Sequence, residues 1–190
     1  MLVPILLAYT IPQFIFTPIW IRLARIFGKK HLWTFSMWIN AAVFISYFFA
    51  LDNIPMIWTL SFLLGFASGC ANVVAPAIKA DVIDYDEFMT NERKEGAYLA
   101  VWNFIRKCAA SITAVITGYV LQVSGFEPNV EQSGTVQTAM RAIFALLPGG
   151  CYVIGAILFM TFSFNEKEHS EVRELLAKRK IDESREGDGP

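Results

Sequence analysis

Five apolar runs, each about 20 residues long and separated by short charged turns, constrain this chain more than any other feature. A helix rises about 1.5 Å per residue, so about 20 residues cross the ~30 Å hydrocarbon core of a bilayer. Backbone N–H and C=O groups find no water there, so a chain must satisfy them internally, as a helix does. The runs fall at 2–23, 31–51, 55–78, 97–123 and 138–164. Pro4, Pro12 and Pro18 lie inside the first run. They would break a helix in water, but a membrane helix tolerates them as kinks because neighbours re-satisfy the released carbonyls. The expected fold is all-α and integral to the membrane, with about five transmembrane helices over 1–164 and a polar segment over 165–190.

The charged residues support this division. The 190 residues are 55% hydrophobic and 17% charged, against about 25% charged in soluble domains, and the charges gather in three short stretches and a tail. Arg22, Arg25, Lys29 and Lys30 follow the first run. Lys79, Arg93 and Lys94 follow the third. Lys167, Arg173, Lys178, Arg179, Lys180 and Arg185 follow the fifth. The turns at 52–54 and 124–136 hold no basic residue, and Arg141 lies near that face at the start of the fifth run. Basic residues stay on the cytoplasmic side. The expected topology therefore places the N-terminus outside and the C-terminus in the cytoplasm of a cell that carries the chain in its plasma membrane. Trp33 and Trp58, near span ends, read as interfacial aromatics.

The tail carries a weak helical stripe of Val172, Leu175 and Leu176 among alternating charges, which reads as a solvated cytoplasmic helix, with 182–190 disordered. The first run has neither a basic leader nor a small-residue cleavage site, so no cleavable signal peptide is expected. Cys70, Cys108 and Cys151 sit in apolar runs without metal spacing and read as small buried thiols.

Polar groups within the spans are costly, so their placement is informative. Ser61, Gly65, Gly69, Asn72 and Pro76 recur at helical spacing along one face of the third span. Gly65-x-x-x-Gly69 would allow close approach of another backbone, so this face is either a tight helix seam or a cavity lining. Tyr9, Gln13 and Thr17 in the first span, and Ser36 and Asn40 in the second, recur every four residues. Together these stripes suggest a shared hydrated interior. The strongest feature is Arg106-Lys107 in the fourth span. Lys107 lies about 16 Å along the helix from Gly96, near mid-membrane, where a charge costs at least ~2.5–3.5 kcal/mol. It must meet water, a counter-charge or a substrate, unless the helix starts late or the side chain reaches back to the interface. Asn103 and Ser111 share its face.

The segment Ala80–Glu95 sets Asp81, Asp84, Asp86, Glu87, Glu92 and Glu95 against Lys79, Arg93 and Lys94. Asp81 and Asp84 stand one turn apart with no histidine or third ligand, so they are no metal site. Salt bridges that open and close, or a solvated charged loop, are the two readings. His31 and His169 carry no assigned role. No nucleophile–base pair, metal cluster or phosphate loop points to an enzyme, and every basic cluster flanks a span, which leaves nucleic-acid binding unsupported.

The strings ADVIDYDEF (80–88), NERKEG (91–96), FIRKCAAS (104–111) and GFEPNVEQS (125–133) occur in that order. They resemble the second half of the glycoside–pentoside–hexuronide:cation symporters of the major facilitator superfamily, the family of the melibiose carrier. IFGKKH (26–31) resembles the basic turn between helices eight and nine of that fold. The resemblance covers nearly the whole chain, as helices eight to twelve. It implies a partial C-terminal half, with Lys107 facing the substrate cavity and Asp81 and Asp84 in the cytoplasmic gate; the polar stripes add Asn103, Ser111, Asn72, Gln13 and Tyr9 to the expected cavity, and the charged segment adds Arg93 to the gate. Arg25 replaces the usual Asp of the basic turn, and Asn72 stands near a tryptophan of melibiose carriers. The family's cation carboxylates lie in its first six helices, so a coupling sodium ion or proton is expected to bind in the missing N-terminal half, with no resident cofactor in this chain. The implied function is symport of a sugar or glycoside, with no transport by this chain alone. A lysophospholipid-like or other anionic solute, and a non-transporting remnant or subunit, are the alternatives.

Overall fold

In a computed structural model the described residues are 2–50, 53–161 and 175. The expected cytoplasmic tail over 165–190 lies outside them, Leu175 apart. The described residues form seven α-helices and one π turn: α1 (Leu2–Ile15), α2 (Thr17–Phe27), α3 (Lys29–Ala50), α4 (Ile54–Thr90), α5 (Glu95–Ser124), α6 (Gly134–Arg141), the π turn Ala142–Leu146, and α7 (Leu147–Thr161). Among the described residues four stretches are long and apolar enough to cross a membrane, and the bent α1–α2 pair makes a fifth if its arms count as one span.

Prolines explain the irregularities. The first run is bent by 48° between α1 and α2. Pro18 has no N–H for the carbonyl of Phe14, and the ladder resumes with Trp20 donating to the Phe16 carbonyl at 3.1 Å. In the last run Pro148 likewise cannot serve Phe144, and just upstream the helix widens so that the Leu147 N–H reaches the Ala142 carbonyl. α4 begins at Asn53, whose side chain accepts from the Met56 N–H at 3.3 Å. It ends at Asn91, a left-handed residue at φ 56° whose N–H closes on the Glu87 carbonyl.

α4 has 37 residues, about 55 Å at the helical rise and far more than the hydrocarbon needs. Of the two readings of the charged segment, the loop does not hold over most of it: Asp81 to Thr90 continue α4 beyond its apolar part. Apolar patterning located the span and missed the helix, because a helix that leaves hydrocarbon keeps its hydrogen bonds.

α4 is the spine of the bundle, with α1 and α3 packed along it and α7 packed on α3. The glycine face is a seam. A Cβ on Gly65 would lie 2.0 Å from the Tyr9 carbonyl oxygen, and one on Gly69 would lie 3.1 Å from that of Gln13. α1 thus crosses α4 backbone to backbone. Trp20 locks α2 onto the same helix; it is 1% exposed and its Nε1 donates to the Phe66 carbonyl at 2.8 Å. Around it Leu32, Cys70, Val74 and Ile78 form one core, and Val43, Tyr47, Leu60 and Ala145 form another.

Part of the expected hydrated interior is a dry contact. Ser36, Asn40 and Ser61 are buried. Ser36 donates to the Trp33 carbonyl at 3.0 Å, Ser68 donates to Asn40 Oδ1 at 3.3 Å, and the Tyr47 hydroxyl meets Ser61 Oγ at 2.7 Å. Polar residues at helical spacing here join helices. Of the three cysteines only Cys70 is buried; Cys108 and Cys151 are exposed on helix surfaces. Trp33 packs edge-on against Phe159 at 4.8 Å, whereas Trp58 is exposed.

Gly65→Ala should destabilise the protein by about 1–3 kcal/mol, since the clash is with backbone. Gly155→Ala, whose new methyl would meet Met37 Cε at 3.9 Å, should change stability by no more than ~0.5 kcal/mol. Thermal unfolding in detergent compares the two; equal melting temperatures would contradict the seam.

Candidate functional site

α5 carries the cationic face. Successive residues turn about 100°, so Asn103, Lys107 and Ser111 share one side of it. All three are exposed, and Ser111 Oγ donates to the Lys107 carbonyl at 3.0 Å. Lys107 lies twelve positions from Glu95, about 18 Å along a helix that runs to Ser124. Tyr98, Trp102 and Ile105 lie toward the opposite side and, with Trp33, Ile78 and Phe159, line a 680 Å³ cavity between α5 and the α3–α4–α7 slab. The walls of that cavity are mostly apolar, with Lys79 their one charged residue. The ammonium of Lys107 thus points away from the apolar cavity.

Tyr9 and Gln13 sit half-buried on α1, over the glycine seam. Asn72 is exposed on α4, one turn before Pro76. Because Pro76 has no N–H to give the Asn72 carbonyl, this position offers an acceptor beside its side-chain amide. The six expected cavity residues therefore fall into two groups: Tyr9, Gln13 and Asn72 on the α1–α4 unit, and Asn103, Lys107 and Ser111 on α5. None of the six lines the 680 Å³ cavity or the smaller 180 Å³ crevice beside it.

The expected gate residues also separate. Asp81 is 1% exposed and forms an ion pair with Lys29, at the start of α3. Arg93 instead pairs with Glu87 at 2.8 Å, Glu95 at 3.2 Å and Asp84 at 4.0 Å. The Glu87 bond first, then Glu95, holds its guanidinium above the usual arginine range. Asp84, Arg93 and Glu95, with Lys79, line the 180 Å³ crevice where α4 ends and α5 begins. One lock thus ties the α2–α3 turn to α4, and another ties α4 to α5. Lys29 and Glu87 were missed as partners. Glu87 follows Asp84 by three positions, a helical spacing that would have pointed to it had the segment been read as helix. The Lys79 ammonium, 4.6 Å from the centre of the Trp102 ring, had no local signal.

A carboxylate as buried as Asp81 costs several kcal/mol when its cation is removed. Lys29→Leu and Asp81→Leu should each lower stability by about 3 kcal/mol, and the double variant by clearly less than their sum. Additive losses in detergent melts would show that the pair is not coupled.

Long helices seamed by glycine, with a cation midway along one helix and ion pairs gathered at the end of the spine, define a multi-pass membrane protein. The model of one family, described as MFS/sugar transport protein, matches residues 3–166, and the chain belongs to that family. It is similar to the uncharacterized symporter YjmB of Bacillus subtilis (strain 168), 25% identical over 80% of this chain and 33% of that protein. It is also similar to the glucuronide carrier protein homolog of Escherichia coli (strain K12), 25% identical over 78% of this chain and 33% of that protein. A provisionally named sulfoquinovose importer of the same strain is 27% identical over 82% of this chain and 34% of its own length. The chain spans about a third of the length of these relatives. By family it is part of a membrane transport protein and not an enzyme.

Proposed function

We propose that this chain supplies helices eight to twelve of a cation-coupled sugar or glycoside symporter in the plasma membrane. Sodium or a proton would bind in the preceding half of the fold, and this chain alone would transport nothing. The observation that carries the reading is the Lys107 face. An ammonium midway along an apolar helix, turned from the apolar cavity, is stable only against water, an acid or a solute. Transporters of this architecture hold solute between two halves that rock about it. In that arrangement Asn103, Lys107 and Ser111 form one wall, with Tyr9, Gln13 and Asn72 on a neighbouring wall. The ion pairs at the end of α4 then close the cytoplasmic side.

The names of two relatives, a glucuronide carrier homolog and a sulfoquinovose importer, favour a hydroxylated solute bearing an acid group. Lys107 would pair with that acid, and the neighbouring amides and hydroxyls would meet the solute's hydroxyls.

The test is counterflow in vesicles containing the transporter that carries this chain, with sulfoquinovose and glucose as charged and uncharged probes. Lys107→Leu should lower transport of the sulfonate about 30-fold or more, equivalent to ~2 kcal/mol, while the protein stays inserted. Lys107→Arg should restore only part of it, since a planar guanidinium does not replace a compact ammonium in a fitted site. Parent-like rates in Lys107→Leu would remove Lys107 from the site.

Orientation has its own check. A cysteine replacing Asn53 should react with an impermeant thiol reagent from outside, and one replacing Glu92 only from the cytoplasm. The reverse pattern would overturn the topology and the assignment to helices eight to twelve.

A further inference from the structure

α5 is the least anchored helix of the bundle. None of its residues is buried, and its close packing is against α6, across the turn at its far end. The 680 Å³ cavity separates it from the α3–α4–α7 slab. At the charged end the Arg93 ion pairs hold its first residue, Glu95, to α4, and two turns further along α5 reaches the slab through Trp102, where the Lys79 ammonium lies 4.6 Å from the ring centre. Lys79, Ile83 and Leu99 belong to the walls of both the apolar cavity and the charged crevice, so this junction is the partition between them. Asp84 and Glu95 line the crevice too, but Arg93 engages both. Lys79 turns instead to the indole. A cation at a desolvated rim is drawn to the negative face of an aromatic ring, most strongly to tryptophan. Trp102 and Lys107 are five positions apart, about 140° around the helix. Seating the indole on α4 therefore directs Lys107 away from the slab.

We propose that Lys79 is a positioning residue for the solute site: its ammonium, clasped to Trp102, holds α5 on α4 and sets the direction in which Asn103, Lys107 and Ser111 face. The role of that face rests on the symporter reading; the clasp itself does not. Lys79 acts through its charge and its reach. Arginine, which also stacks on aromatic rings, replaces it, and leucine of similar bulk does not.

The test places spin labels on the 190-residue chain in lipid nanodiscs, one on the native Cys108 of α5 and one on a cysteine replacing Met89, exposed near the end of α4. Cys151 is changed to Ser. Electron–electron distance measurement should give one narrow distribution for the parent and for Lys79→Arg. Lys79→Leu and Trp102→Leu should each broaden it at least two-fold, and the double variant should be no broader than either alone. Circular dichroism checks helix content, and Lys79→Gln replaces any leucine variant that fails to fold. A narrow distribution in the Lys79 variant, or a Lys79→Arg distribution as broad as that of Lys79→Leu, overturns the clasp. No solute is present, so that failure leaves the transport reading standing. A clasp that holds here, in a transporter whose sulfonate transport ignores Lys107→Leu, overturns the positioning role alone.

Discussion

The cost of a polar group in hydrocarbon governs this structure. Every helix here must close its own backbone bonds, and every polar side chain must find a partner within reach or leave the apolar layer. Hydrocarbon already surrounds the helices, so burying more leucine gains little, and close packing has to hold them together. That is why α1 and α4 meet backbone to backbone at Gly65 and Gly69. It is also why Ser61, Asn40 and Ser36 lie inside helix contacts with their hydrogen bonds made. The same cost sends Asp81, Arg93 and their partners to the end of α4, where each charge has an opposite charge beside it.

The constraint made much of the fold legible in the sequence. Apolar length alone points to the long helices, and of the prolines in the first run Pro18 marks the bend between α1 and α2. The glycine spacing on α4 offered two readings, seam or cavity, and the geometry at Gly65 and Gly69 is that of a seam. What was illegible is pairing across long sequence separation. Lys29 and Asp81 are 52 positions apart, and a basic turn looks the same whether its lysines meet water, lipid or a buried carboxylate. The end of α4 was not legible from apolar length. Hydropathy reports where a helix leaves the membrane, whereas its end is set by the left-handed turn at Asn91.

The candidate site was legible to a smaller degree. Lys107 stands out because a mid-span ammonium demands an explanation, and Asn103 and Ser111 follow from helical spacing. Tyr9, Gln13 and Asn72 follow equally from spacing, but spacing cannot distinguish a polar residue that lines water from one that sits beside a seam. Tyr9 and Gln13 have half of each character: their carbonyls lie against the glycines while their side chains remain partly open.

The helix that bears the cation is also the helix with the least packing. α1, α3 and α4 interlock through glycine, tryptophan and buried hydroxyls, whereas α5 has no buried residue. Elements with few buried contacts open at the lowest free energy. Such a helix can shift without disrupting the seamed unit beside it, as the carrier proposed above would require. Its anchors at the charged end are polar: the Arg93 cluster and the Lys79–Trp102 contact. A polar anchor at a membrane boundary can exchange partners with water as the helix moves, which an interlocked glycine seam cannot do. The difference is physical: the glycine seam holds α1 to α4 by shape, whereas α5 is held at its charged end by ion pairs and a cation–ring contact.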